Sequence, residues 1–511
     1  MTIPGPGRAP KSMEVPMLAE MAARSELWRL KDPRLLREQA YIGGRWTADA
    51  SGHVREVTNP ANGEVLGAVA ALDAEAARKA VDEAADAFEG WRSLLPQERS
   101  RILRAWHDAM MDHREDLAVL MTLEQGKPLE ESRGEIDYAA SFIGWYAEET
   151  RRPNVETVTS HLPGAEMAVR REPVGVVALV TPWNFPAAMI TRKAAAALAA
   201  GCTTVVHPSM ETPLSALALA ELAERAGVPA GVFNVVTGPA PEIVGVFCED
   251  PRVRALSFTG STEIGRLLYE QSAATVKRLV LELGGHAPFI VFDDADLEAA
   301  VSGAIAAKFV TGGQDCLAAN RILVQRGLYD RFVAAFAERA SALRVGDGLT
   351  DGVEIGPLMN ERAVAKCREH VDDALARGAR LAAGGEAHAL GGLFFAPTVL
   401  ADVPPDAQIM SEETFGPVAA IAPFDTEEEA VRIANSTEYG LAAYLYTGDY
   451  RRVSRVAGAL EFGMVAVNRI KITGAPVPFG GVKQSGLGRE GSRHGMEEFT
   501  ELKYLCIDTA S

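Results

Sequence analysis

Two side chains of this sequence can do chemistry together, and each lies inside a strongly marked local motif. Cys316 lies in TGGQDCLAANR (311–321), and Glu282 lies in LVLELGGHAPFIVFDDADLE (279–298). A thiol attacks an aldehyde carbon, and a carboxylate takes a proton from a water molecule. The pair therefore favours covalent oxidation of an aldehyde to an acid. Judged alone, Cys316 is equally well explained as a buried structural cysteine, and Glu282 is slightly better explained as an exposed residue at a strand end.

The residues around this pair would suit both catalytic interpretations. Gly312 and Gly313 let the backbone before Cys316 approach a ligand closely, and an exposed N–H beside the thiol would stabilise a developing oxyanion. Apolar residues on both sides of Glu282 would bury its carboxylate and raise its pKa, which suits a general base.

Two further turns have the residue types of a binding site. In TPWNFP (181–186), which follows a predicted buried strand, Asn184 can donate a side-chain N–H to an oxyanion. A plain Pro/Asn turn explains the same letters. SFTGSTEIG (257–265) reads as a strand that runs into a helix start, where backbone N–H groups can hold a pyrophosphate. It lacks the GxGxxG spacing, and a helix capped by Ser261 or Thr262 is the alternative.

The elements that must position these motifs have an α/β pattern. Alanine-rich helical segments such as 73–91 and 214–227 alternate with short β-branched strands such as 174–184 and 255–260. This alternation is typical of βαβ units and a mostly parallel sheet. We predict two Rossmann-like, parallel-sheet domains with a boundary near residue 284.

Two segments fit neither predicted core, and we expect them to pair as projecting strands that join subunits. We predict an N-terminal extension at 1–35 and a cofactor-binding domain in two pieces, 36–149 and 172–283. The catalytic domain is predicted at 284–488. The oligomerisation element is predicted to combine a β-hairpin at 150–171 with a C-terminal strand within 489–511. A homodimer or homotetramer is expected, and the sequence leaves the choice open.

Composition excludes several classes of function. The 511 residues have a formal net charge of −18, which argues against binding to nucleic acid or to an anionic membrane. No apolar run is long enough to span a bilayer, and residues 1–16 lack the apolar core of a secretory signal. The five cysteines are scattered without metal-ligand spacing, so no metal site is expected. A cytoplasmic, reducing location is predicted.

Six segments occur in an order that resembles the aldehyde dehydrogenase superfamily: TPWNFP, FTGST, LELGG, GQDC, EETFGPV and PFGGVKQSGLGREG. The resemblance runs from about 41–46 to 501–506. The phrases AAMITRK, GLYDRF and APFIVFDDADL are similar to the succinate-semialdehyde dehydrogenase branch. The resemblance implies the aldehyde-dehydrogenase fold and NAD(P)-dependent oxidation of a small aldehyde to a carboxylic acid.

The resemblance also implies a part for each matching residue. Cys316 would form a thiohemiacetal and then a thioester, and Glu282 would activate the hydrolytic water. Asn184 and the Cys316 N–H would form the oxyanion hole, while Lys193 and Glu490 would relay protons. The implied cofactor site comprises Trp183, His207, Ser209, Met210, Gly238, Gly260, Ser261, Leu283, Glu413 and Phe415, with Glu413 and Phe415 at the nicotinamide ribose and ring.

The cofactor segment departs from the family pattern KPxE, because it reads HPSM (207–210). His207 is a shorter, only partly charged donor, and Met210 cannot accept a strong hydrogen bond from ribose. The lost carboxylate no longer repels a 2′-phosphate, while the lost lysine no longer attracts one. These effects oppose one another, and the sequence leans to NAD over NADP. Together with Pro241, they also leave open a cofactor-poor relative that acts as a binding or structural protein.

The substrate segment departs as well. Semialdehyde relatives carry an Arg where Val310 stands here and a Ser where Thr473 stands, whereas Arg192 is retained. Asp315 adds a negative charge beside the thiol. The predicted substrate is therefore semialdehyde-like or larger and less anionic, with succinate semialdehyde itself as the alternative. Arg469 and Lys471 could form a positive patch at the substrate site, but we favour the interpretation that they are solvated loop residues. The implied substrate residues are Phe185, Met189, Arg192, Val310, Asp315 and Thr473.

Overall fold

A computed structural model describes residues 27–152 and 155–509. Most of the predicted N-terminal extension (1–35) lies outside the described residues, as do 153–154 of the predicted hairpin and the last two residues.

The first sheet contains eight strands within the described chain, and its five central strands run parallel. The three outer strands are antiparallel to their neighbours. In spatial order the strands are β19 (Gly486–Leu487), β11 (Arg278–Glu282), β10 (Val253–Thr259), β7 (Val176–Thr181), β8 (Thr203–Pro208), β9 (Phe233–Val235), β1 (Ala40–Ile42) and β2 (Arg45–Thr47).

The second sheet is parallel except for one antiparallel edge strand. Its spatial order is β14 (Arg380–Ala383), β15 (Thr398–Ala401), β16 (Val418–Phe424), β13 (Ala319–Gln325), β12 (Ala287–Val291), β17 (Ala442–Tyr446) and β18 (Met464–Val467). The fold is thus the α/β class with two Rossmann-like parallel sheets that the sequence predicts.

Helices connect the strands. Those that precede β12 are α1 (Ala74–Arg92), α2 (Pro96–Asp112), α3 (Arg114–Gln125), α4 (Leu129–Glu149), α5 (Ala188–Ala200), α6 (Pro213–Arg225), α7 (Ala240–Glu249) and α8 (Thr262–Ser272). Those that follow it are α9 (Leu297–Phe309), α10 (Arg326–Ala342), α11 (Glu361–Ala376), α12 (Glu427–Asn435), α13 (Tyr450–Ala459) and α14 (Ser492–Glu497).

Both sheets are buried on both faces, which explains why their central strands read as continuous apolar runs. Alternate residues of β7 enter two different cores: Val177 and Leu179 pack in one, and Ala178 in the other. In β12, Phe289 and Ile290 are divided in the same way between two further cores.

The chain leaves the first sheet at Glu282 and enters the second at Ala287. The domain bounds proposed from the sequence stay a prediction. One short strand does not follow them: β19 lies in the predicted catalytic range 284–488, yet it pairs with β11 of the first sheet.

A separate antiparallel sheet contains β5 (Val155–Val158), β6 (Ala165–Pro173) and β20 (Thr500–Asp508). The hairpin and the C-terminal strand therefore do pair, and apolar side chains of β20 such as Leu502 and Tyr504 are exposed. A two-stranded ribbon joins β3 (Val54–Thr58) and β4 (Val65–Ala70). Among the described helices, none has the length and apolarity needed to cross a membrane.

Two glycines beyond α6 have nearly the same left-handed backbone but different surroundings. Gly231 has φ +80°, and a Cβ there would lie 2.6 Å from the carbonyl oxygen of Glu83 in α1. Gly227 has φ +85° with nothing within 4 Å of its Cβ position. The backbone of α1 therefore packs directly against Gly231 but not against Gly227. A side chain at position 231 would have to displace the α1 backbone.

We expect Gly231→Ala to lower the free energy of unfolding by about 2 kcal/mol more than Gly227→Ala does, since both share the left-handed cost and only one adds a clash. Urea denaturation of the two variants measures the difference. Equal destabilisation would show that close packing of α1 is not what this position needs.

Candidate active site

The carboxyl ends of β7, β10 and β11 open onto one cavity of about 580 Å³. In parallel sheets such ends are where ligands bind. The loop before β13 of the second sheet closes the other side, so both sheets contribute to its wall. Of the residues predicted from sequence, the cavity brings together Cys316, Asn184, Trp183, Phe185, Met189, Arg192, Gly260, Ser261, Leu283, Val310, Asp315, Glu413, Phe415 and Thr473.

Cys316 follows a left-handed turn that few residues tolerate. Thr311, Gly312 and Gly313 have φ values of +52°, +62° and +74°, and a Cβ on Gly313 would lie 2.3 Å from the Gly416 oxygen. This turn brings the thiol to the cavity wall half-buried, so the structural-cysteine interpretation is wrong. Burial, followed by the Asp315 carboxylate, raises the pKa of the Cys316 thiol well above its usual range.

Glu282 is the last residue of β11 and is 2% exposed, so the interpretation as an exposed strand end is wrong as well. Neither carboxylate oxygen has a hydrogen-bond partner among the described residues. Burial, and then the neighbouring charge of Glu490, raise the pKa of Glu282 well above its usual range. Gly480 covers it closely, since a Cβ there would lie 2.9 Å from Glu282 Oε1.

Glu490 lies between two buried cations. It accepts a hydrogen bond from Lys193 Nζ, and its Oε2 is 2.5 Å from Arg192 Nε. Burial opposes its ionisation, but the charges of Arg192 and Lys193 outweigh burial and lower the pKa of Glu490. Lys193 also donates to Thr259 Oγ1 at 2.6 Å. The sequence did not predict that Arg192, which it assigns to substrate binding, would contact Glu490.

Asn184 follows β7 in the turn that the sequence singled out, and its side chain is buried. Its Nδ2 donates to the Gln314 carbonyl at 3.0 Å, which ties the turn to the segment before Cys316. The amide has a second N–H for a ligand in the cavity. No acceptor for the Cys316 N–H is present in the part of the chain that the structure describes.

Several groups on the cavity wall fit a dinucleotide. Ser261 accepts a hydrogen bond from Ile264 N at 3.3 Å and caps α8, whose first-turn N–H groups are suited to a phosphate. The capped-helix interpretation is therefore right, and the cap also lines the cavity. Trp183 and Phe415 pack edge to face, with ring centroids 5.6 Å apart. Glu413 Oε1 accepts from Gly285 N at 3.2 Å and leaves its other oxygen for a hydroxyl.

Four predicted cofactor residues do not line this cavity: His207, Ser209, Met210 and Gly238. Gly238 N lies 3.2 Å from Met210 Sδ, and Ser209 donates to Glu211 Oε2 at 2.5 Å. His207 Nδ1 lies 3.0 Å from the Val236 carbonyl, to which it donates. Burial lowers the pKa of His207 to about 4, so it is neutral near pH 7 and not partly charged as the sequence indicates.

The substrate wall differs from expectation at two charges. Asp315 Oδ1 accepts from Leu317 N at 3.0 Å, and burial raises the pKa of the Asp315 carboxyl, which weakens the negative charge beside the thiol. Lys471, interpreted as a solvated loop residue, is exposed and also lines the cavity. Val310 is half-exposed on the same wall.

Sequence analysis missed the contribution of α4 to the cavity. Glu131, Gly134, Glu135 and Tyr138 line it. The signal was present in GKPLEESRGEIDY (126–138), where cavity-facing residues recur at helical spacing after a conspicuous lysine.

Residues 46–505 match the aldehyde dehydrogenase family. The chain belongs to this family. It is 56% identical over 479 residues to an NADP(+)-linked succinate-semialdehyde dehydrogenase of Escherichia coli K12, which covers 94% of this chain and 99% of the relative. It is 57% identical to a non-phosphorylating aspartate-semialdehyde dehydrogenase of Halomonas elongata, over 94% of this chain and 97% of the relative.

A solved structure of succinate-semialdehyde dehydrogenase from Burkholderia pseudomallei superposes with a TM-score of 0.93 at 55% identity, covering 94% of this chain and all of the other. The protein is thus an NAD(P)-dependent aldehyde dehydrogenase, and the semialdehyde branch indicated by its motifs is confirmed. The alternative of a non-catalytic binding protein is not supported.

Because His207 stays neutral when folded and titrates near pH 6.5 when unfolded, it contributes stability above pH 6.5 that is lost as pH falls toward 4. Between pH 7 and pH 5 the loss amounts to about 2 kcal/mol. We expect His207→Asn, which keeps a donor for Val236, to show a smaller drop in thermal midpoint over this range than the parent. His53→Asn, on the exposed surface, serves as control and leaves the drop unchanged.

Proposed function

We propose that this enzyme oxidises a semialdehyde-like or larger, less anionic aldehyde through a thioester on Cys316, with NAD the preferred cofactor. The observation that carries the assignment is the meeting of thiol, amide donor and helix start in one cavity. Cys316, Asn184 and Ser261 belong to three separate segments, and all of them line it.

In this mechanism the Cys316 thiol adds to the aldehyde: its sulfur bonds to the carbon, and its proton goes to the aldehyde oxygen, which accepts hydrogen bonds from Asn184 Nδ2 and the Cys316 N–H while negative charge develops on it. The nicotinamide would supply the hydride acceptor when it is bound. Loss of a hydride from the carbon and of the proton from the oxygen leaves a thioester, which water then hydrolyses. Glu282 takes a proton from that water, because its unpartnered oxygens and its raised pKa suit a base.

Lys193 and Glu490 stand behind that base. Lys193 bridges Glu490 and Thr259, and Glu490 adds to the rise in the pKa of Glu282. We propose that protons pass from Glu282 to the neighbouring hydrogen-bonded group of Glu490, Lys193 and Thr259.

The proposed preference for NAD follows from the surroundings of His207. That imidazole is neutral and already donates to Val236, so it offers no positive charge to a 2′-phosphate. Glu211, which accepts from Ser209, adds a carboxylate that would repel one.

The proposed substrate follows from the cavity wall. Val310 provides no donor for a carboxylate, and Phe185 and Met189 add apolar surface. Arg192 Nε is engaged by Glu490. A second candidate is succinate semialdehyde itself, and the presence of Lys471 and Arg192 on the wall favours it.

We further propose a homodimer or homotetramer in the cytoplasm. The exposed apolar residues of β20 and its free edge fit a partner strand, and the five cysteines are unpaired, as in a reducing compartment.

We expect wild-type enzyme, assayed for NADH and NADPH formation over neutral aliphatic, aromatic and semialdehyde substrates, to prefer NAD and not to favour succinate semialdehyde by a wide margin. Val310→Arg should then raise kcat/KM for succinate semialdehyde about 10-fold or more, because a charge-assisted contact contributes about 1.5–3 kcal/mol. Val310→Met, similar in length without the charge, should not. A wild-type optimum at succinate semialdehyde contradicts the substrate proposal and leaves the mechanism untouched.

Glu282→Gln should retain a single rapid turnover and lose steady-state turnover by about 10²-fold or more, since hydride loss precedes the step that needs the base. Rapid-mixing measurement of NADH checks this, with a burst near one equivalent per site. Glu270→Gln, on the exposed face of α8, should behave as wild type. Loss of the burst as well would show that Glu282 acts before the thioester forms.

A further inference from the structure

We infer that Lys127, Glu131 and Glu135 are positioning residues that set the geometry of the oxyanion hole, by holding the Asn184 turn and the turn before Cys316 against one side of α4. The inference rests on the proposed function only in taking Asn184 and the Cys316 N–H as the oxyanion donors.

The spacing places the three residues together. Glu131 and Glu135 are four apart on α4 and so share a face, and Lys127 lies four residues earlier, just before the helix. Glu131 and Glu135 line the cavity. Lys127 and Glu135 are buried with side chains 1% exposed, and their Nζ and Oε2 atoms are 2.6 Å apart.

The first arm of this set of contacts, formed by Lys127 and Glu135, holds Asn184. Lys127 Nζ donates to the Asn184 carbonyl oxygen at 2.7 Å and lies 4.1 Å from the centre of the Phe185 ring. The ammonium therefore fixes the backbone of the residue that carries the amide donor and the orientation of the next side chain. Glu135 keeps the lysine in place and neutralises its charge.

Glu135 also fixes the helix that follows. Its Oε1 accepts from Ala187 N at 3.0 Å and from Ala188 N at 3.2 Å, at the start of α5. A carboxylate at this end is favoured by the helix dipole and satisfies two free N–H groups. Because α5 carries Arg192 and Lys193, the same carboxylate aligns the pair that contacts Glu490.

The second arm holds the nucleophile's turn. Glu131 Oε2 accepts from Thr311 N at 2.9 Å and from Thr311 Oγ1 at 3.2 Å. A β-branched residue at φ +52° is strained, so the turn needs such an anchor. Gln314 Nε2 donates back to the Thr311 carbonyl at 3.2 Å, and the Gln314 carbonyl accepts from Asn184.

The two arms therefore close a ring of contacts from α4 through Asn184, Gln314 and Thr311 back to α4. The ring joins a turn of the first sheet to a loop of the second, which are 130 residues apart at the Asn184–Gln314 contact. A buried ion pair adds little stability compared with apolar residues of the same volume, so stability does not account for the pair. The placement of an oxyanion donor does account for the ion pair, because a shift of about 1 Å in a catalytic group lowers the rate about 10²-fold.

The test uses a double variant, Lys127→Met with Glu135→Gln, which removes both charges of the ion pair together and keeps an amide oxygen for Ala187 and Ala188. We expect kcat to fall about 10- to 100-fold with KM changed less than threefold. Hydrolysis of p-nitrophenyl acetate, which needs the oxyanion hole without hydride transfer, should fall equally. Alkylation of Cys316 by iodoacetamide forms no oxyanion and should keep its rate.

The deciding measurement is made in an Asn184→Ala background. If the pair acts through Asn184, the double substitution has little further effect on ester hydrolysis there, whereas independent effects would multiply and overturn the inference. Arg133→Met is the matched control, because Arg133 is on the same helix in a surface ion pair with Glu115, and it should leave kcat within twofold.

The second arm gives an independent readout should the double variant fail to fold. Glu131→Ala removes the oxygen that accepts both Thr311 hydrogen bonds and should slow ester hydrolysis about 10-fold or more. Glu131→Gln keeps a carbonyl oxygen that can accept them and should restore most of the rate. Wild-type rates in Glu131→Ala would overturn the inference. Wild-type rates in Asn184→Ala would instead contradict the proposed oxyanion hole, which separates the two failures.

Discussion

The rest of the site depends on one buried interaction, the contact of Glu490 with Arg192 and Lys193. Two cations on α5 would be costly to bury alone, and a single carboxylate compensates them from nearly 300 residues further along the chain. Glu490 reaches them only because the segment that carries it crosses from the second sheet to the first. That segment also covers Glu282 through Gly480, so the same contact fixes the base and its surroundings.

Burial and the carboxylates around Cys316 outweigh the nearby charge of Arg192 in their effect on the pKa of the thiol. Burial and the carboxylates of Asp315 and Glu413 hold the pKa of Cys316 high, so the resting sulfur is a neutral thiol. A neutral thiol is a poor target for oxidants, which attack thiolates. A raised pKa therefore disfavours oxidation of the resting thiol, and in the proposed mechanism Cys316 attacks only when an aldehyde is bound beside the oxyanion donors.

The sequence predicted the parts of this structure that local patterns encode. The strands VGVVALV and PFIVF are continuously apolar because both of their faces are buried, and the turns after them follow from Gly, Pro and Asn. Glu282 and Cys316 were found in this way, and order along the chain resolved their alternatives. Local patterns do not encode partners that are distant in sequence, which is why the engagement of Arg192 by Glu490 was missed and why Lys471 was interpreted as a solvated loop residue rather than as part of the cavity wall.

The short strand β19 has a consequence for how the enzyme comes into being. It pairs with β11 and lies just before Glu490 in the chain. The short segment that precedes α14 therefore completes a sheet whose other strands all end by residue 282. During synthesis, the nucleophile and the cofactor cleft are made long before their charges are balanced. Until those late residues dock, Arg192 and Lys193 lack their counter-ion, and a chain truncated before them would expose a cationic, unfinished cleft. The proposed site is therefore assembled only after a segment that is synthesised long after Cys316 has docked.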